Sequence, residues 1–220
     1  MPPVRHYWSS PDTWLQEPTS ILQQHPASSQ APPPAPPRVL LFGGSRIADI
    51  ENLVNNKLPF TPGSSQLPTH VDGHAWATFT GYNPIISHFS IFKQDWDVVY
   101  LHIGEEDLLV ETVTPGWLAD HIIATAEYIS LLGVRRVIVG SLITKELETE
   151  YGRRVLETNR LLHCGLRHRT PELACVQWPM SMYEGGSWCA GSSRLALSCS
   201  GLHALLHHIL DTVHLHARGM

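Results

Sequence analysis

Three short stretches of this chain carry side chains able to do acyl-transfer chemistry. Phe42-Gly-Gly-Ser45 sets a serine behind two glycines, Gly104-Glu-Glu-Asp107 puts three carboxylates in a row, and Ser200-Gly-Leu-His203 ends in a histidine. A serine hydroxyl is a weak nucleophile until a base takes its proton, so Ser45 would need a partner such as His203. At a sharp strand-to-helix turn its Oγ would be exposed. The neighbouring backbone N–H groups and the helix N-terminus would then favour developing negative charge. Plain structural roles fit the same residues, with Ser45 as an N-cap and His203 as a packing histidine. A phosphate loop is excluded, because neither GxxxxGK[ST] nor GxGxxG occurs. The acidic run and His203 could gather hard and imidazole ligands, but no spacing demands a metal. Neither a metal nor a cofactor is expected.

The elements that must position these residues read clearly in places. Val39-Leu-Leu-Phe42 is a short apolar run ended by Gly43-Gly44, the pattern of a buried parallel strand entering a tight turn. Ile47, Ile50, Leu53 and Val54 then recur at helical spacing, with Ser45 near the N-cap. Residues 57–80 hold several prolines and glycines and read as loop, with one strand around His70-Val71. Residues 97–103 form another buried strand. Pro115 opens a helix over 115–132 that Gly133 closes. A third strand covers 134–142, a second long helix 147–168, and a fourth strand 172–178. A Gly/Ser-rich loop over 184–193 leads to His203, at a loop-to-helix junction, and a last helix to about His216. Strands alternating with amphipathic helices predict a three-layer α/β/α fold with a mostly parallel, five-stranded, flavodoxin-like sheet. Sites in such sheets form at the carboxyl ends of the strands, where the turns at Ser45, Gly104 and Ser141 would converge.

Composition narrows the function classes. The 220 residues are 43% hydrophobic and 16% charged, with a formal net charge of -5. A nucleic-acid binder would show a basic face, whereas Lys and Arg here are scattered singly or in pairs. No run of 18 apolar residues exists, so no membrane span is expected, and no signal-peptide pattern opens the chain. A cytoplasmic location is expected, with Cys164, Cys175, Cys189 and Cys199 as reduced thiols. Ten of the 17 prolines fall within residues 1–37. That segment reads as a disordered, locally polyproline II tail, a spacer with protein docking as its alternative, ahead of a domain over 38–220.

The three blocks resemble, in order and spacing, those of the SGNH (GDSL-type) hydrolase superfamily. Gly-Gly-Ser45 is similar to the Gly-Asp-Ser block of the nucleophile, Gly104-Glu-Glu-Asp107 to Gly-x-Asn-Asp, and Ser200-Gly-Leu-His203 to Asp-x-x-His. The resemblance implies an SGNH-type fold and hydrolysis of a small ester or acyl substrate, with Ser45 attacking and His203 taking the proton. It implies an oxyanion hole from the Ser45 N–H, a glycine of a second block and the residue at position 106. Gly81 is the candidate for that glycine, with Gly73 the runner-up. Three positions depart from the pattern. Ser200 stands where the acid that orients the histidine belongs, and losing that charge costs a related triad about 10⁴ in rate. Glu106 replaces the oxyanion asparagine, and Gly44 the aspartate before the nucleophile. The expectation is a weak Ser-His ester hydrolase, with an inactive SGNH-like binding module as the alternative.

Overall fold

In a computed structural model the described residues are 35, 37–55, 69–81, 83–144, 147–167, 169–177 and 197–217. The tail assigned to residues 1–37 lies almost wholly outside them, as do the 184–193 loop and Cys189. Five parallel strands make one sheet: β1 (Val39–Gly43), β2 (Thr69–Gly73), β3 (Val98–His102), β4 (Arg136–Gly140) and β5 (Leu173–Val176). Their order is β2-β1-β3-β4-β5. The helices are α1 (Ser45–Asn55), α2 (Pro115–Leu131), α3 (Glu150–Leu166) and α4 (Cys199–Ala217).

Side chains alternate across the strands and so feed two separate cores. Leu40, Phe42, Val99, Leu101, Val137 and Val139 face α2 and α3. Val39, Leu41, Val98, Tyr100 and Ile138 face α1 and α4, meeting Ile47, Ile50, Leu205 and Ile209. β1 and β3 are buried at every position, which is why they read as unbroken apolar runs. The expected three-layer α/β/α architecture with a five-stranded parallel sheet is what forms.

Two details differ from the sequence reading. Residues 81–96, for which no element is predicted, contain a 3-10 segment, Ile85–Lys93. It buries Ile85 and Phe92 against the α2 side of the sheet. Helix α4 starts at Cys199, so His203 lies inside the helix rather than at its junction with a loop. Ser198 explains the early start, since its Oγ accepts the Gly201 N–H at 3.1 Å, as an N-cap does.

In this order the sheet reverses direction of growth between β1 and β3, the switch point at which open α/β sheets form crevices. Gly43 ends β1 there, and a Cβ on it would lie 2.0 Å from the His102 carbonyl, so the two strand ends pack closer than any side chain allows. The Gly44 N–H donates to that carbonyl at 3.0 Å.

The segment after β3 is fastened from the opposite side. Arg154, on α3, donates to the carbonyls of Leu108 (2.7 Å), Val110 (2.9 Å) and Val113. Residues 104–113 thus hang between the sheet and α3, with Gly104 at φ +113°, a backbone conformation that glycine tolerates.

Candidate functional site

Ser45 is the first residue of α1 and stands at the switch point. Its Oγ accepts the Trp76 N–H at 3.0 Å, and its own N–H donates to Glu106 Oε1 at 2.7 Å. Three chain segments therefore meet at this serine: the β1–α1 turn, the turn after β2 and the turn after β3. Trp76 has φ +59°, a left-handed conformation that non-glycine residues seldom adopt, and its side chain is 62% exposed. The turn that carries it is pinned by the His74 N–H on the Gly43 carbonyl (2.9 Å) and by Asn83 on the Ala75 carbonyl (3.3 Å).

Glu106 is buried. Burial pushes its carboxyl above the usual range and the neighbouring Glu105 charge adds to this, while Ser45 pulls it part of the way back. Oε2 is buried with no hydrogen-bond partner among the described residues. Room for this carboxylate comes from Gly44, because a Cβ there would lie 2.9 and 3.0 Å from the two carboxylate oxygens.

Directly beneath the serine turn lies a buried charge cluster that sequence reasoning missed. Arg46 Nε is 3.4 Å from Glu105 Oε2, and His102 Nε2 is 3.3 Å from Glu105 Oε1. All three side chains are buried. Burial alone would raise the Glu105 pKa, but His102, Arg46 and the Ile143 N–H together outweigh it and hold it down to about 2. Glu105 is thus an ionised counter-charge tying the serine turn to β3 and to the segment after β4. An arginine beside the apolar positions of α1 ordinarily reads as solvent-facing, so only the acid in the next block hinted at the pair.

Asp107 completes the acidic run with a different task. Its Oδ1 accepts the Phe79 N–H at 2.9 Å and the Thr80 hydroxyl at 3.3 Å, which ties the 78–81 turn to the site. Burial pushes its pKa up to about 6 against the pull of these donors.

The structure does not bring every predicted residue to Ser45. The Gly81 N–H is taken by Thr78 Oγ1 at 2.5 Å, and the Gly73 N–H by Glu51 Oε2 at 3.1 Å. The backbone donor that reaches Ser45 from this region is Trp76. His203 Nδ1 bonds the Cys199 carbonyl at 2.8 Å, one turn back, with Cys199 Sγ at 3.6 Å. A carbonyl only accepts, so Nδ1 carries the proton and Nε2 is left as the proton-accepting nitrogen. Ser200 Oγ lies 2.9 Å from Ser198 Oγ. Among the described residues no hydrogen bond joins His203 to Ser45.

A stacked histidine pair borders the site. The rings of His74 and His88 stack at 3.5 Å between centroids, with His74 Nε2 3.3 Å from Asp72 and His88 Nε2 3.1 Å from Asn83. Partial burial and the adjacent His74 lower the His88 pKa. Among the described residues no group of three or more His, Cys, Asp or Glu side chains could hold a metal ion. Cys164, Cys175 and Cys199 are free thiols. No described helix is long and apolar enough to cross a membrane.

No family model and no curated protein matches the chain by sequence. Solved structures do match it in shape. A member of the lipolytic G-D-S-L family from Veillonella parvula superposes with a TM-score of 0.60 at 15% identity, covering 79% of this chain and 96% of that one. A lipase/acylhydrolase from Enterococcus faecalis gives 0.61 at 15% identity, covering 80% and 95%. A carbohydrate esterase family 3 structure from Talaromyces cellulolyticus gives 0.59 at 14%, covering 83% and 99%. The chain has an SGNH hydrolase-like fold.

Proposed function

We propose that this domain is a slow hydrolase of small carboxylic or acyl esters, with Ser45 as nucleophile and His203 as base. The observation that carries the reading is the setting of Ser45: the first residue of α1 at the sheet's switch point, its Oγ held by the Trp76 N–H. That N–H fixes the position of Oγ, while activation needs a base to take the hydroxyl proton. The N–H belongs to a residue in a glycine-like conformation on the turn after β2, where the resemblance calls for a glycine donor. Trp76 contacts Oγ itself, so its N–H positions the nucleophile and is not the oxyanion donor that the resemblance assigns to Gly81. Gly104, at positive φ, supports the turn that carries Glu106 and stays out of the chemistry.

His203 enters as the base through Nε2. The Cys199 carbonyl fixes its tautomer in place of the absent carboxylate at Ser200. A neutral acceptor orients the ring but stabilises an imidazolium poorly, so turnover is slow. Lipase and carbohydrate-esterase neighbours make a short acyl ester the substrate class to try first. The test is hydrolysis of p-nitrophenyl acetate together with labelling by a fluorophosphonate. Ser45→Ala is expected to abolish labelling, and His203→Ala to lower turnover by about 100-fold or more. A folded wild-type protein that neither turns over nor labels at Ser45 would sink the reading.

A second reading is a non-catalytic binding module. The Glu106 carboxylate on the Ser45 N–H favours it, because that donor is the one a tetrahedral oxyanion needs.

A further inference from the structure

We propose that Glu106 is a built-in plug, its carboxylate filling the place where an ester's developing oxyanion would bind, and that Gly44 is the residue that admits it. The inference deepens the hydrolase reading and rests on it. An oxyanion hole works by aiming N–H donors at a position where charge appears only during reaction. Here the Ser45 N–H already points at an acceptor, Glu106 Oε1, at 2.7 Å. The second oxygen, Oε2, is buried beside it without a partner among the described residues. A carboxylate so placed takes the donor and repels a second negative oxygen.

The two departures from the resembled pattern around Ser45 then form one arrangement. A side chain at position 44 would begin within 3 Å of both Glu106 oxygens. An aspartate there would meet the carboxylate sterically and electrostatically. Glycine at 44 lets the Glu106 carboxylate sit this close, and a side chain there would push it aside by a few tenths of an ångström or more.

The experiment compares wild type, Glu106→Asn, Gly44→Asp and the double variant, all checked for folding by circular dichroism. Replacing the plug by an amide donor is expected to speed fluorophosphonate labelling of Ser45 by about 100-fold, the usual worth of one oxyanion donor. Equal or slower labelling in folded Glu106→Asn would overturn the plug while leaving the hydrolase reading in place. No labelling in either protein would overturn both. A stability cycle gives a readout independent of activity. Gly44→Asp is expected to lower the melting temperature in the wild-type background and to lower it less in the Glu106→Asn background. The same loss in both backgrounds would refute the Gly44–Glu106 contact.

Discussion

The two ends of the proposed dyad are built differently. Ser45 is gripped from three segments: Trp76 on its hydroxyl, Glu106 on its N–H, and the buried Arg46–Glu105–His102 cluster below. His203 is held through Nδ1 by Cys199, a residue of its own helix. A nucleophile fixed by long-range contacts cannot drift without disturbing the sheet, whereas a base oriented locally depends on where α4 sits. The contrast teaches that the serine end is part of the fold's framework, while the histidine end is a helix residue oriented within its helix.

The strongest way to break this contrast is at Glu105. Glu105→Gln removes the carboxylate paired with buried Arg46, and removing one partner of a buried pair costs about 3–5 kcal/mol. Chemical denaturation measures it, and a loss under about 1 kcal/mol would mean that the cluster does not anchor the serine turn. Asp107 gives a middle-sized effect that depends on pH. Its pKa is raised from 3.8 to about 6, so the folded state holds the proton more tightly than the unfolded chain does. That contribution is complete below about pH 4 and disappears as pH climbs through 6. Asp107→Asn keeps the acceptor for Phe79 and does not titrate. Its melting temperature should match wild type at low pH, near 4 and below, and exceed it at pH 7.5 by about 6–9 °C, roughly what the 3 kcal/mol of such a pKa rise gives in a domain this size. A constant difference across that range would contradict the assignment. The smallest effect is expected at the histidine end. Ser200→Asp puts a negative charge in the first turn of α4 and should stabilise by only about 0.5 kcal/mol through the helix dipole. Esterase turnover should change little, since the Cys199 carbonyl already holds Nδ1. A tenfold rise would show instead that the ring can be captured by an acid at 200.

Much of the framework was legible because burial on both faces writes itself as unbroken apolar runs, as in β1 and β3. Pro115 and Gly133 bracketed α2 for equally local reasons. The strand around His70-Val71 was also read, although β2 runs from Thr69 to Gly73. The 3-10 segment was missed because Ile85–Lys93 mixes buried Phe92 with exposed Ile86 at no regular helical or strand period. At the site, the types and order of Ser45, Glu106 and His203 could be read, but their partners could not. Arg46 and Glu105 lie far apart in the chain and look like ordinary charged residues until the β1–β3 pairing brings them together. Trp76 escaped because positive φ at a tryptophan leaves no trace in composition. The early start of α4 turned on one hydroxyl, that of Ser198.

The Arg154 clamp decides how Glu106 could ever leave Ser45. With the carbonyls of Leu108, Val110 and Val113 all tied to one guanidinium on α3, the backbone beyond Glu106 has little freedom to swing. Exit then falls to rotation about the bonds of a single side chain, against the resistance of its hydrogen bond from the Ser45 N–H. Any kinetics of unmasking at Ser45 should accordingly be single-exponential and indifferent to solvent viscosity, unlike a lid that must push through water.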